Sequence, residues 1–335
     1  MNLILRNLLV SALAVAVFPC AKAAKNEPPV MPKPLLLMVE HPTAKQETAV
    51  QTVVLFTGSA AEEVPLEEYL VQVVLSEMPP SFEPEALKAQ AVAARTFALK
   101  KTESGKHKDY DLCADAACCQ AWTSLAALEE KYGDTFPEVF KKVQDAVLET
   151  AGETLYYQDK LIDATYFSCS GGSSEAAVAV WGTEVPYLQA VPSPGEEDAP
   201  RYASEVFFSA EEFSRILLAE NPACILSGSP DTWAGETAYT AGGGVDTIML
   251  GGQRFSGTAV RRLFGLNSTR FTLSCENDEF TFSVLGFGHR VGMSQYGAQN
   301  MAKQGFDYRT ILQYYYHGAE IKKSSGEPPE PFNLD

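Results

Sequence analysis

Positive charge is scarce in this chain: Lys and Arg number 26 against 43 Asp and Glu in 335 residues, a formal net charge of −17 at pH 7. Nucleic-acid binding needs a basic footprint on the phosphates, so the balance argues against a nucleic-acid partner. It argues equally against a polybasic grip on anionic lipid. Long apolar runs are also lacking, because beyond the N-terminal segment no stretch reaches membrane-spanning length without charges. There is no internal repeat, and no regular βαβ alternation to suggest a doubly wound sheet. The acidic excess selects no substrate, since such surfaces commonly serve solubility. What is present is an ordinary globular composition, 46% hydrophobic and 21% charged, long enough for one elaborate domain or two smaller ones.

The first residues read as an export signal. Arg6 precedes a largely apolar run from Leu8 to Phe18, and Ala21-Lys22-Ala23 follows at signal-peptidase spacing. Residues 1–23 are therefore expected to be a cleaved signal peptide, placing the mature protein in the periplasm or cell envelope. An uncleaved anchor and lipidation at Cys20 are the rival readings; Pro19 disfavours the second. Lys25 to Pro34 carries four prolines and reads as an extended leader, so residues 24–60 hold the leader and the start of the domain.

The remaining pattern is mixed α+β, helices interspersed with antiparallel strands. Leu66, Tyr69, Leu70, Val73 and Val74 recur at helical spacing after Pro65, and Met78-Pro79-Pro80 ends that helix. An alanine-rich helix runs from Pro84 to about Lys101. Residues 106–120 are loop-like. Further helices are expected over 139–150, from the Ser209 capping box to about Glu220, over 292–304 and over 307–316. Strands are expected near 52–57, 154–158, 161–168, 246–250, 270–274 and 279–285.

The next position of the first helical stripe is Glu77. A carboxylate on a core-facing position must be neutral, paired or at a cleft edge, and burial would raise its pKa toward that of a general acid. Periodicity alone leaves a plainer alternative, in which the helix frays before Pro79 and Glu77 points to water.

Three blocks bear on that choice. They are VPLEEYLVQVVLSEMPPSFEPEALKAQAVAARTFAL (Val64 to Leu99), YFSCSGGSSEAAVAVWGTEVPYLQAV (Tyr166 to Val191) and GFGHRVGMSQYGAQNMAKQGFDYRTILQYYYHGAEI (Gly286 to Ile321). Together, and in this order, they resemble the SpoIID/LytB family of sporulation and cell-wall proteins. Arg290 stands where that family usually has glycine, and Phe97 where tyrosine is frequent.

The resemblance implies a SpoIID-like catalytic region over 61–322 and a tail over 323–335. It implies a peptidoglycan lytic transglycosylase that cleaves MurNAc–GlcNAc linkages with Glu77 as its single acid and base, leaving 1,6-anhydroMurNAc ends. It also implies a preference for glycan stripped of stem peptides, and hence an N-acetylmuramoyl-L-alanine amidase as functional partner. The alternative is a non-catalytic glycan-binding module that stimulates such an amidase. Supporting contacts to substrate are expected from Lys88, Gln90 and Arg95 on the second helix, and from His289, Ser294, Gln295 and Tyr296 in the last block. Trp181 either stacks on a sugar or fills the core, and Ser170-Gly171-Gly172 is a tight turn. Glu67, Glu68, Glu83 and Glu85 read as solvated helix-surface charges.

Removal of Cys20 leaves six cysteines, an even number that in an exported protein suggests disulfides. Yet His107, Cys113 and Cys119 stand at His-x5-Cys-x5-Cys spacing, and His and Cys are the ligands zinc prefers. Some relatives carry a His/Cys zinc site in this loop. A structural zinc on these three residues and a Cys113–Cys118 or Cys113–Cys119 disulfide are the two expectations.

Overall fold

Small side chains let the helix Pro84–Ser104 lie at the centre of the protein. In the computed structural model, which describes residues 50–324 and 331–332, Ala86, Ala89, Ala91, Ala93, Ala94 and Ala98 have no exposed surface. The expected signal peptide and the proline-rich leader up to residue 49 lie outside the described residues, as does most of the tail. Helices Leu66–Glu77, Phe136–Glu149, Gln295–Lys303 and Tyr308–Tyr315, together with strand Glu153–Tyr157, all pack on the alanine-rich helix. The many methyl side chains on its surface allow that many neighbours to come close. Pro84 opens the helix, and Gly105 closes it in the left-handed conformation that suits glycine.

Arg95 ties this centre together. It is 1% exposed, and its guanidinium makes a forked pair with Glu67 at 2.9 and 2.6 Å. It also donates to the carbonyls of Val147 and Glu153 at 3.0 and 3.2 Å. Four elements are thereby joined by one side chain.

The antiparallel hairpin Thr52–Phe56/Ala61–Pro65 runs directly into the first helix. Strand Glu153–Tyr157 pairs antiparallel with Lys160–Leu161 on one side and with Glu320–Lys323 on the other, so the end of the described chain returns to the core. Residues 203–285 carry a second hydrophobic core. Its sheet has the order Arg270–Glu276, Glu279–Leu285, Ala203–Ser209, all antiparallel. In the middle strand Phe280, Phe282 and Val284 alternate inward, and helix Ala210–Glu220 brings Phe213 onto Phe280 with ring centroids 3.8 Å apart. Strands Ala234–Tyr239, Val245–Leu250 and Gln253–Ser256 form a further antiparallel sheet.

The architecture is α+β, with two short parallel strand pairings and one isolated parallel bridge among the described residues. One of the pairings corrects two expected elements. Tyr166–Phe167 pairs with Met293–Ser294, so the strand expected over 161–168 breaks into two short pieces. The break is fixed by the Tyr187 hydroxyl, which accepts from the Asp163 N–H at 3.1 Å. For the same reason the helix expected from Gly292 begins at Gln295, with Ser294 as its cap. Helix Leu125–Tyr132 and strand Ala203–Ser209 carried no strong local signal.

Replacing Arg95 with Ala leaves Glu67 without its partner and removes one donor from each of two buried carbonyls. The variant should lose about 3 kcal/mol of stability or more in chemical denaturation. A loss under 1 kcal/mol would contradict this role for Arg95.

Candidate active site

Helix Leu66–Glu77 ends where it does because Met78 is extended (φ −121°, ψ 145°), as the residue before a proline prefers. Its apolar stripe is buried as the spacing implies, and its last residue, Glu77, enters a cavity of about 620 Å³. Glu77 is the only Asp or Glu among the residues lining that cavity.

Burial raises the Glu77 carboxyl above its usual pKa. Its place at the negative end of a helix acts in the same direction. Three donors oppose the shift: the Ala121 backbone N–H at 2.9 Å from Oε1, the Gln295 amide at 3.4 Å from Oε2, and the Tyr166 hydroxyl. Tyr166 is itself held, accepting from Gln120 Nε2 at 2.7 Å, and the other end of that amide accepts from the Tyr69 hydroxyl at 3.2 Å. The acid is thus oriented through a connected set of side chains, while desolvation keeps its neutral form favoured.

Of the residues expected around substrate, Gln295, Tyr296 and His289 line the cavity with Glu77. His289 accepts from the Val291 N–H at Nδ1, and burial, helped by nearby Arg261, pushes its pKa down to about 4. At neutral pH it is an uncharged hydrogen-bonding group. Trp181 is 46% exposed with its ring 5.5 Å from that of His289, so it does not fill the core.

The other expectations are corrected. Arg95 does not reach Glu77, being locked to Glu67 and backbone carbonyls. Lys88 lies outside the cavity and pairs with Glu85 and Glu149 at 2.9 and 2.6 Å. Gln90 is fully buried, and among the described residues neither end of its amide has a partner. Ser294 is buried and serves as a helix cap, accepting from the Gly297 N–H at 3.2 Å. All three second-helix positions face neighbouring elements, a direction that sequence spacing could not supply. Glu67 and Glu85 are correspondingly engaged, whereas Glu83 is exposed as expected. Tyr166 and Gln120 were missed as site residues, although the first opens the second family-like block and the second follows Cys119.

Arg290 has φ +66°, a left-handed backbone for which glycine is the usual residue. Its buried guanidinium donates to the carbonyls of Ser170, Ser173 and Gly242 at 2.8, 2.8 and 2.7 Å and pairs with Glu175 at 3.2 Å. These bonds offset the backbone strain and fasten the 203–285 region to the wall beside His289. Where the chain leaves that region, Gly171 and Gly286 face each other so closely that a Cβ on either would lie 2.7–2.8 Å from the opposing backbone.

The cysteine loop forms the adjoining wall. The ligand atoms of His107, Cys113, Cys118 and Cys119 all lie within 4.8 Å of one another. All six described cysteines are free. Cys118, considered above only as a disulfide partner, completes a four-donor set. Lys106 donates to its sulfur at 3.1 Å and lowers its pKa, while burial raises that of Cys119 to about 12. Three sulfurs and an imidazole so grouped are a donor set that could hold a zinc ion. Two residues along, Ala121 supplies the N–H that holds Glu77.

The raised Glu77 pKa has a consequence for stability. The folded state holds this proton more tightly than the unfolded chain, so the stabilisation is complete below the unfolded carboxyl pKa and is lost as pH rises through the folded one. At pH 8 Glu77→Gln should therefore be more stable than the parent, by on the order of 1 kcal/mol. The gap should close in acid, as followed by thermal unfolding across pH. A variant less stable than the parent at pH 8 would contradict the desolvated carboxylate.

Comparison with known proteins identifies the family. The family model described as "SpoIID: Stage II sporulation protein" matches residues 57–157. Stage II sporulation protein D of Bacillus amyloliquefaciens is 37% identical over 287 residues, covering 85% of this chain and 82% of the relative. Its counterpart from Bacillus subtilis (strain 168) is 40% identical over 271 residues, covering 80% and 77%. The amidase enhancer of the same strain is 28% identical over 300 residues, covering 74% of this chain and 39% of the relative. With identity at this level across most of both sporulation proteins, the chain belongs to the stage II sporulation protein D family.

Proposed function

We propose that this protein is an exported lytic transglycosylase that cuts peptidoglycan glycan strands during cell-wall remodelling in division or sporulation. The observation that carries the reading is a single desolvated carboxyl, Glu77, in a cavity lined by no other acid. Hydrolytic glycosidases of the usual kind need two carboxyl groups, about 5–9.5 Å apart. One suffices when the nucleophile belongs to the substrate. Membership of the family supports the sporulation and wall context.

In the proposed reaction Glu77 donates its proton to the glycosidic oxygen between MurNAc C1 and GlcNAc C4. The C1–O bond breaks, leaving oxocarbenium character at C1 and a free GlcNAc hydroxyl. The muramic C6 hydroxyl attacks C1, and its proton passes to the Glu77 carboxylate. Glu77 ends as it began, and the product is 1,6-anhydroMurNAc. Holding the C6 hydroxyl against C1 lets it outcompete water. The Ala121 N–H and Gln295 amide steady the carboxylate between the two transfers, neutral His289 forms part of the cavity wall, and Trp181 offers a stacking face beside it. The preferred substrate is glycan already stripped of stem peptides, with an amidase acting first.

Zinc is proposed on His107, Cys113, Cys118 and Cys119, where it neutralises the thiolates and fixes the loop that presents Gln120 and Ala121 to the acid. No catalytic step passes through it. Metal analysis should find one zinc per chain, and chelation should make the thiols reactive and lower stability. Zinc-free protein with unreactive thiols would sink the site.

A second reading has the 28% identity to the amidase enhancer in its favour: a glycan-binding module that stimulates an amidase. Mass spectrometry of digested glycan strands separates the two. The transglycosylase yields anhydro ends, and Glu77→Gln should lower that yield at least about 1,000-fold while keeping glycan binding. Binding and amidase stimulation by both proteins, without anhydro ends, would establish the module instead. Because one raised carboxyl serves first as acid, kcat/KM should be full below its pKa and fall as pH rises through it.

A further inference from the structure

Arg201 is the only Lys or Arg among the residues lining the Glu77 cavity. With His289 uncharged at neutral pH, it supplies the cavity's positive charge in a protein whose net charge is −17. Among the described residues it takes part in no ion pair, although Asp and Glu outnumber Lys and Arg. Its guanidinium lies over the Phe287 ring, 4.5 Å from the centroid.

The backbone beside Arg201 and that of Phe287 are anchored. The Tyr202 N–H donates to Ala199 at 2.9 Å, and the Gly286 N–H donates to Tyr202 at 2.7 Å. Phe287 is bridged to Cys169. An exposed arginine seated on a fixed ring keeps its planar fork presented at little further entropic cost, and that fork matches a carboxylate. The cavity therefore holds one buried acid and one unpaired cation, an arrangement that a wholly uncharged sugar would not use.

A GlcNAc–MurNAc strand has one ionisable group in its sugar backbone, the lactyl carboxyl on muramic O3. While a stem peptide is attached, that group is an uncharged amide. Resting on the glycan-cleaving reading of this same site, we propose that Arg201 is the specificity-determining residue that binds the free lactyl carboxylate of muramic acid. A preference for stripped glycan would then follow from recognition of a charge exposed by the amidase, in addition to any steric exclusion of peptides.

The test measures binding in the Glu77→Gln protein, where no cleavage intervenes. Three defined glycan probes are compared: peptide-free strands, the same strands with lactyl carboxyls converted to neutral methylamides, and strands bearing intact stems. The peptide-free form should bind about tenfold more tightly than the other two. Adding Arg201→Gln should abolish the difference, and Arg201→Lys should restore part of it. Equal affinity for acid and amide, or a preference that survives Arg201→Gln, would overturn the proposal. Arg201-dependent binding of intact strands as tight as that of stripped ones would also overturn it, by showing that stem carboxylates are read. Absence of anhydro ends from the parent enzyme would sink the transglycosylase while leaving these affinities interpretable.

Discussion

The hydrogen bond from the Ala121 backbone N–H to Glu77, 2.9 Å long, joins the end of a buried helix to the loop that carries three cysteines. A carboxyl at that helix end is desolvated, and left to itself it would turn toward water or take whatever rotamer its surroundings allowed. The N–H gives it one fixed direction, and the Gln295 amide, 3.4 Å away, gives it another. Neither donor carries a formal charge. A cation at the same distance would stabilise the carboxylate strongly and remove the proton that a general acid must give. The cavity supports its acid with dipoles, and the buried arginines Arg95 and Arg290 are engaged elsewhere.

Those two arginines do comparable structural work. Arg95 joins the first helix, the alanine-rich helix, the end of Phe136–Glu149 and the strand that follows it. Arg290 joins the Ser170–Ser173 turn, Glu175 and Gly242. Each also donates to backbone carbonyls in the interior, a use in which a guanidinium with five N–H groups has the advantage over lysine. The second arginine occupies a backbone conformation that elsewhere favours glycine, so a residue that sequence comparison marks as a departure carries its own compensation.

The second core, built on Phe213, Phe264, Phe280 and Phe282, lies away from the cavity, yet its two connections to the rest of the chain border it. Pro200 and Arg201 precede the 203–285 region, and Phe287, Gly288 and His289 follow it. Folding of that region brings the two connections side by side, and Gly171 and Gly286 allow the backbones to close against each other. The rim of the cavity is therefore set by a region that supplies no group to the acid itself.

Sequence alone was enough for the mixed α+β pattern, the first two helices and the identity of the candidate acid. The helices depend on local rules, helical spacing through Leu66, Tyr69, Leu70, Val73 and Val74 and the placement of prolines, whereas Glu77 is singled out only when the family resemblance is added to that spacing. The convergence of a histidine with cysteines was legible in part, since a regular spacing within one loop restricts where the side chains can go; Cys118 became a member only once the loop was folded. The directions of Lys88, Gln90 and Arg95 were decided by tertiary structure, because a helix surrounded by neighbours offers no solvent face from which to read orientation. So were the partners of Glu77. Ala121, Tyr166 and Gln295 lie 44, 89 and 218 residues from it in the chain, and only the packing of the alanine-rich helix against both ends of the protein brings them to one carboxyl.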